Sequence, residues 1–249
     1  MHHQERILFQ RSLLFASGFT FLLWLVRTIE WGTASNFGML GILPRHVSGM
    51  VGILTAPLIH GTFIHLLSNT FPLLFLLVAV FYFYDKIALE VFAWIYLITG
   101  FWVWVAAREA YHIGASGLVY GLAAFLFFSG IFRRDARSVA VAVAIAFLYN
   151  GMIQGIIPGE DPNVSWESHL LGSVAGIFCS FYFRRIEPGS IVSKNVILEK
   201  TDSATNRTFQ EYYFHSSDTS LNDVFRPGEG SNQASVFDSY TYKEKEKEK

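Results

Sequence analysis

The stretch GASGLVYGLAAFLFFSGIFRR, residues 114–134, sets a turn of small residues in front of an uncharged run that closes on two arginines. From Ser116 to Phe132 nothing is charged, and Gly117 and Gly121 keep one stripe of the run free of side-chain bulk. An apolar run of this length reads as a helix across a bilayer, whose hydrocarbon core needs about 20 residues. A serine at the first position of such a helix is a polar group at membrane depth, which is costly and so a candidate for function.

The pattern recurs on both sides of this run. The 249 residues are 52% hydrophobic and only 16% charged, where a soluble domain carries about 25% charged residues. Uncharged stretches alternate with tight charge clusters, which excludes a single soluble core. Five further spans can be drawn: Leu13–Ile29; one beginning near Leu58 and ending at Tyr84; Ile87–Ala107; Ser138–Ile157; and Ser168–Phe183. The Gly- and Pro-containing stretch ahead of the second span reads as an interfacial loop with short helices. The first apolar run lacks a small-residue cleavage site and reads as a signal anchor. The expected fold is an all-α membrane protein, a bundle of six transmembrane helices over residues 1–186. From residue 187 the chain turns rich in Ser, Asn, Asp and Thr and ends in alternating Lys and Glu. Such a composition buries too little apolar surface to offset its ordering entropy, so residues 187–249 are expected to be a polar, mostly disordered tail.

Lys and Arg in the short loops set the orientation. With the N-terminus inside, the inner segments hold Arg6, Arg11, Lys86, Arg133, Arg134, Arg137, Arg184 and Arg185, and the outer ones only Arg27, Arg45 and Arg108. Both termini are therefore expected to be cytoplasmic. A net charge of -1 gives no footing for nucleic acid, and the single Cys179 excludes an internal disulfide or a cysteine metal cluster.

In this orientation the second, fourth and sixth helices all enter from the outer face, and each carries polar residues in its first turns: His65 and Asn69, Ser116, and His169. His65 and Asn69 are i,i+4 and share a face, as do Ser116 and Tyr120. His169, Gly172 and Gly176 lie along one stripe of the sixth helix, and with Gly117 and Gly121 opposite they allow the close approach that a serine on one helix needs to reach a histidine on another. A serine hydroxyl needs an adjacent base to act as a nucleophile, and His169 is placed to serve. The oxyanion of acyl transfer needs preorganised donors, which His65, Asn69 and the Ser116 backbone N–H, in the turn after Gly114, can supply. No acidic residue suits a third position: Glu167 stands about 200° around the helix from His169, so a Ser–His dyad is implied. His112 reads as interfacial. Asn150 and Gln154 share a face of the fifth helix, either as interhelical hydrogen-bond partners or as gate residues.

The motifs GASG at Gly114–Gly117, HLLSN at His65–Asn69 and HLLGSVAG at His169–Gly176 together resemble the rhomboid intramembrane serine proteases, over about residues 13–185. The resemblance implies a six-helix core and cleavage of single-pass transmembrane proteins, near the outer face of the lipid bilayer and after a small residue. It also implies Tyr120 stacking on His169, His60 supporting the site from the preceding turn, and a mobile cap at the Gly155–Glu167 loop. No metal or organic cofactor is implied, and the oligomeric state is left open. The first loop departs from the family pattern in carrying no evident Trp–Arg pair.

Two other readings stand beside this one. A catalytically inactive rhomboid-like protein would bind or escort membrane clients, although such proteins usually lose the serine or the histidine. A metal held by His60, His65, His112 and His169, as in a transporter, is the other. The chain has no HExxH motif and no pair of intramembrane aspartates for other proteolytic chemistries.

Overall fold

The computed structural model describes residues 3–149, 151–158 and 164–186, together with the backbone of residues 196–202, 207–214 and 240–242. The chain divides into two compact units, Met1–Gly189 and Ser190–Lys249.

In the first unit, long apolar runs become long helices: α1 (His3–Gly32), α3 (Phe63–Phe83), α4 (Ala88–Ala106) and α5 (Ser116–Arg133). These four are long and apolar enough to cross a membrane. Between α1 and α3 the loop winds through short helical turns at Phe37–Leu40, Val47–Val51, α2 (Gly52–Thr55) and Ala56–Leu58. It is pinned to the end of α4 by Arg45 Nη1, which donates to the Ala107 carbonyl at 2.7 Å, and by Trp104 Nε1, which donates to the His46 carbonyl at 2.9 Å. The second span starts at Phe63 rather than near Leu58. Pro57 sits in the preceding turn, and Thr62 caps the helix by accepting the His65 N–H, the ordinary role of a threonine at that position.

The fifth span differs from the sequence reading, while the sixth falls within two residues of it. Ser138–Ile157 is not one helix but α6 (Ala136–Leu148) followed by the short α7 (Met152–Ile156), and glycine at the break, Gly151, is a poor helix former. The last helix, α8, covers Trp166–Tyr182. At 1.5 Å per residue α6 is roughly 20 Å long and α8 roughly 26 Å, against a hydrocarbon core of about 30 Å. By length and composition, four helices among the described residues qualify as spans.

α5 is the most enclosed of the four long apolar helices and α1 the least. Leu118, Leu122, Phe125 and Leu126 of α5 are buried against Leu66, Leu73 and Leu77 of α3 and Ile95 of α4. Leu14, Phe21, Ile64, Phe71 and Phe147 stand exposed, as bilayer-facing side chains do. Lipid is as apolar as leucine, so such helices associate through close backbone packing of small residues. Here α5 and α8 meet that way: a Cβ built on Gly172 would lie 2.1 Å from the Gly117 carbonyl oxygen, and one on Gly176 2.0 Å from that of Gly121. No larger residue fits either position.

The second unit, Ser190–Lys249, is described only in part. Its described residues form three strands, β1 (Val196–Asp202), β2 (Arg207–Phe214) and β3 (Tyr240–Tyr242), paired antiparallel in the order β2-β1-β3. VIL at 196–198 and the aromatic YYF at 212–214 have strand propensity, a local signal lost when composition is averaged over sixty polar residues.

Candidate active site

Gly114 turns the chain into α5 with φ +106°, a conformation that favours glycine. Two hydrogen bonds hold this turn. The Gly114 N–H donates to the Ala56 carbonyl at 2.9 Å, and the Ala115 N–H donates to His60 Nε2 at 3.3 Å. To accept, that nitrogen must be unprotonated. His60 is fully buried, and burial, with His65 nearby, pulls its pKa down to about 4. Ser116 then opens α5, and the first N–H groups of a helix have no partner within it. The His65 ring packs under the turn, so that a Cβ on Gly114 would lie 2.7 Å from its Cε1. Asn69 is buried and donates one amide hydrogen to the His65 carbonyl at 2.9 Å, which leaves its second free to donate elsewhere.

Ser165 caps α8 by accepting the Ser168 N–H, which starts the helix so that His169 comes up in its first turn. His169 Nε2 lies 2.9 Å from Ser116 Oγ, and its Nδ1 lies 2.8 Å from the carbonyl oxygen of Gly155, at the end of α7. A carbonyl only accepts, so Nδ1 carries the proton and Nε2 accepts from the serine hydroxyl. Tyr120 stacks on the imidazole, with ring centroids 4.2 Å apart and planes 6° from parallel.

Ser116, His169, His65 and Asn69 line one open cavity of about 580 Å³. The structure therefore brings together the residues singled out in the sequence, with His60 directly behind the nucleophile turn. Glu167 pairs with Arg108, its Oε1 lying 3.6 Å from Arg108 Nη1. His112, in the loop before Ser116, is buried, and burial lowers its pKa. Gln154 is exposed on α7, while Asn150 and residues 159–163 of the expected cap lie outside the described residues. Among the described residues no group of three His, Cys, Asp or Glu side chains is arranged to hold a metal ion.

Two participants escaped the sequence reading, the Gly155 carbonyl and Ser165. A backbone carbonyl has no residue type to betray it. Ser165 followed by Glu167 and Ser168 does carry a cap signal, which could have been found.

Residues 47–186 match the family model described as the rhomboid domain. The chain belongs to the rhomboid family. This rhomboid is similar to the uncharacterized protein Rv1337 of Mycobacterium tuberculosis, 34% identical over 175 residues that make up 66% of this chain and 71% of the relative. The uncharacterized protein Mb1372 of Mycobacterium bovis matches to the same extent. The uncharacterized protein ML1171 of Mycobacterium leprae is 32% identical over 171 residues, 66% of this chain and 68% of the relative. No solved structure matches this rhomboid significantly. Its apolar helices make it a multi-pass membrane protein.

Proposed function

We propose that this rhomboid is an intramembrane serine endopeptidase, with Ser116 as nucleophile and His169 as general base. It cuts single-pass transmembrane proteins near the outer face of the cell membrane, with both of its own termini in the cytoplasm. One observation carries the reading: the relay from the Gly155 carbonyl through the His169 ring to Ser116 Oγ, at 2.8 and 2.9 Å. It leaves on Nε2 the lone pair that a general base requires, within the reach that proton transfer needs.

The chemistry then follows from the groups present. Ser116 Oγ attacks the scissile carbonyl carbon while its proton passes to His169 Nε2. The carbonyl electron pair moves onto oxygen, and the resulting oxyanion accepts hydrogen bonds from the Ser116 N–H, the free Asn69 amide hydrogen and His65. As the intermediate collapses, the C–N bond breaks and His169 returns the proton to the leaving amine. Water entering through the cavity gives a proton to His169 and attacks the acyl ester. As that intermediate collapses, the C–O bond to Ser116 breaks and His169 returns the proton to Ser116 Oγ, releasing the acid product. Tyr120 holds the ring plane through both halves of the cycle. The Gly155–Glu167 loop serves in this reading as the cap that admits water and substrate.

The test is cleavage of a model single-pass substrate in proteoliposomes by wild type, Ser116→Ala and His169→Ala, with a chelator present. Cleavage by wild type alone, with both variants folded, supports the dyad. Equal cleavage by all three would overturn it.

A further inference from the structure

His112 is nearly inaccessible, at 3% exposure, so both of its ring nitrogens need partners. Nε2 lies 3.0 Å from the Arg108 carbonyl, which can only accept, so the ring proton sits on Nε2. Nδ1 is therefore an acceptor, and the Ser165 hydroxyl donates to it at 2.6 Å. Ser165 Oγ in turn accepts from the Ser168 N–H at 3.3 Å and lies 2.7 Å from the Ser168 hydroxyl. The ring stands on a fixed platform, because its own backbone exchanges two hydrogen bonds with Ile42, both at 2.9 Å.

The register of this contact matters. His112 precedes Ser116 by four residues, and Ser165 precedes His169 by four. The hydrogen bond thus joins the loop that delivers the nucleophile to the cap of the helix that delivers the base. Glycine packing locks α5 to α8 from Gly117 and Gly172 downward. Above that level the two helix ends are tied by polar contacts from the 108–112 loop: His112 to Ser165, and Arg108 to Val164 and Glu167.

We propose that His112 is a positioning residue for the Ser116–His169 pair, acting through the N-cap of α8. The proposal rests on the protease reading for its effect on turnover. The geometric claim stands apart from it: without the Nδ1 acceptor, the first turn of α8 shifts and His169 Nε2 moves off Ser116 Oγ. Misplacement of a catalytic group by about 1 Å costs on the order of a hundredfold in rate.

Two substitutions separate the ring's nitrogens. His112→Gln keeps a donor near the Nε2 position for the Arg108 carbonyl and removes the acceptor for Ser165. His112→Asn places an oxygen near the Nδ1 position and gives up the other bond. In detergent-purified, full-length protein, His112→Gln is expected to lower kcat by roughly tenfold to a hundredfold with KM little changed. Labelling of Ser116 by a fluorophosphonate probe should slow in the same ratio while the thermal midpoint holds. His112→Asn should restore most of the rate, and Ser165→Ala combined with His112→Gln should be no worse than the poorer single variant. Equal losses in the Asn and Gln variants, or none in either, would overturn the proposal.

A readout without turnover separates this inference from the protease reading. Titration of the His169 ring by NMR, in protein labelled at histidine, should move in His112→Gln and not in His112→Asn. An unchanged titration in both overturns the positioning role even in an active enzyme. A wild type that neither cleaves nor labels overturns the protease reading instead.

Discussion

His169 Nδ1 lies 2.8 Å from the Gly155 carbonyl oxygen, so a backbone group on the short helix α7 selects the tautomer of the His169 ring. In serine hydrolases with a triad, a carboxylate orients the histidine and stabilises its charged form. A neutral carbonyl orients as well but offers less to the imidazolium.

Gly155 sits directly against the Tyr120 hydroxyl and the His169 ring. A Cβ there would lie 2.0 Å from the Tyr120 hydroxyl and 3.2 Å from His169 Nδ1. Gly155→Ala is expected to lower kcat roughly a hundredfold by displacing the carbonyl or the ring. Adding Tyr120→Phe removes the nearer obstacle and should recover part of that loss. Steady-state cleavage of one substrate by the two single variants and the double variant checks this.

Asn69 offers its second amide hydrogen to the proposed oxyanion. Asn69→Ala should reduce kcat by up to about a hundredfold, below the usual cost of a lost oxyanion donor because His65 and the Ser116 N–H remain. An unaltered kcat in a correctly folded variant would remove Asn69 from the mechanism.

His60 sets an acid limit on stability. Its folded pKa, about 4, is depressed below the ordinary 6.5 by burial and by His65. The unfolded chain therefore takes up a proton in a range where the folded one does not. Stability is complete above pH 6.5 and is lost as pH falls toward 4, by up to roughly 3 kcal/mol at about 1.4 kcal/mol per unit. His60→Gln retains an acceptor for the Ala115 N–H without titrating, so its unfolding midpoint in detergent should fall less across that window than the wild type's. Parallel curves would count against this assignment.

Gly172→Ala should destabilise the helix pair by about 1–3 kcal/mol, the usual cost of overpacking, because its Cβ would press on the Gly117 carbonyl oxygen. Gly18, where a Cβ meets nothing within 4 Å, is the control, and Gly18→Ala should be near neutral. Denaturant unfolding of the two variants side by side measures the difference.

The helical runs were legible because an uncharged stretch in lipid has few options: each backbone group must be satisfied within its own segment. Their ends were less so. The start of α3 at Phe63 depends on Thr62 closing a cap, and the break after α6 on a single glycine, signals much weaker than twenty apolar residues. In the second unit, the strands at 196–202 and 207–214 were hidden by the polar residues around them.

For the site, the sequence by itself determined which side chains could do chemistry. Ser116, His169, His65 and Asn69 are polar residues near the starts of alternate apolar helices, and burying such groups is too costly to be incidental. The glycine stripe at Gly172 and Gly176 likewise announced the close approach of α5 and α8. Only the tertiary structure decided which nitrogen of His169 faces Ser116. The Gly155 carbonyl that selects the tautomer belongs to the backbone, which is the same in every residue. Nor could spacing reveal that His112 meets Ser165, 53 residues away. That contact exists because packing brings two helix ends together and leaves a buried imidazole to find partners for both of its nitrogens.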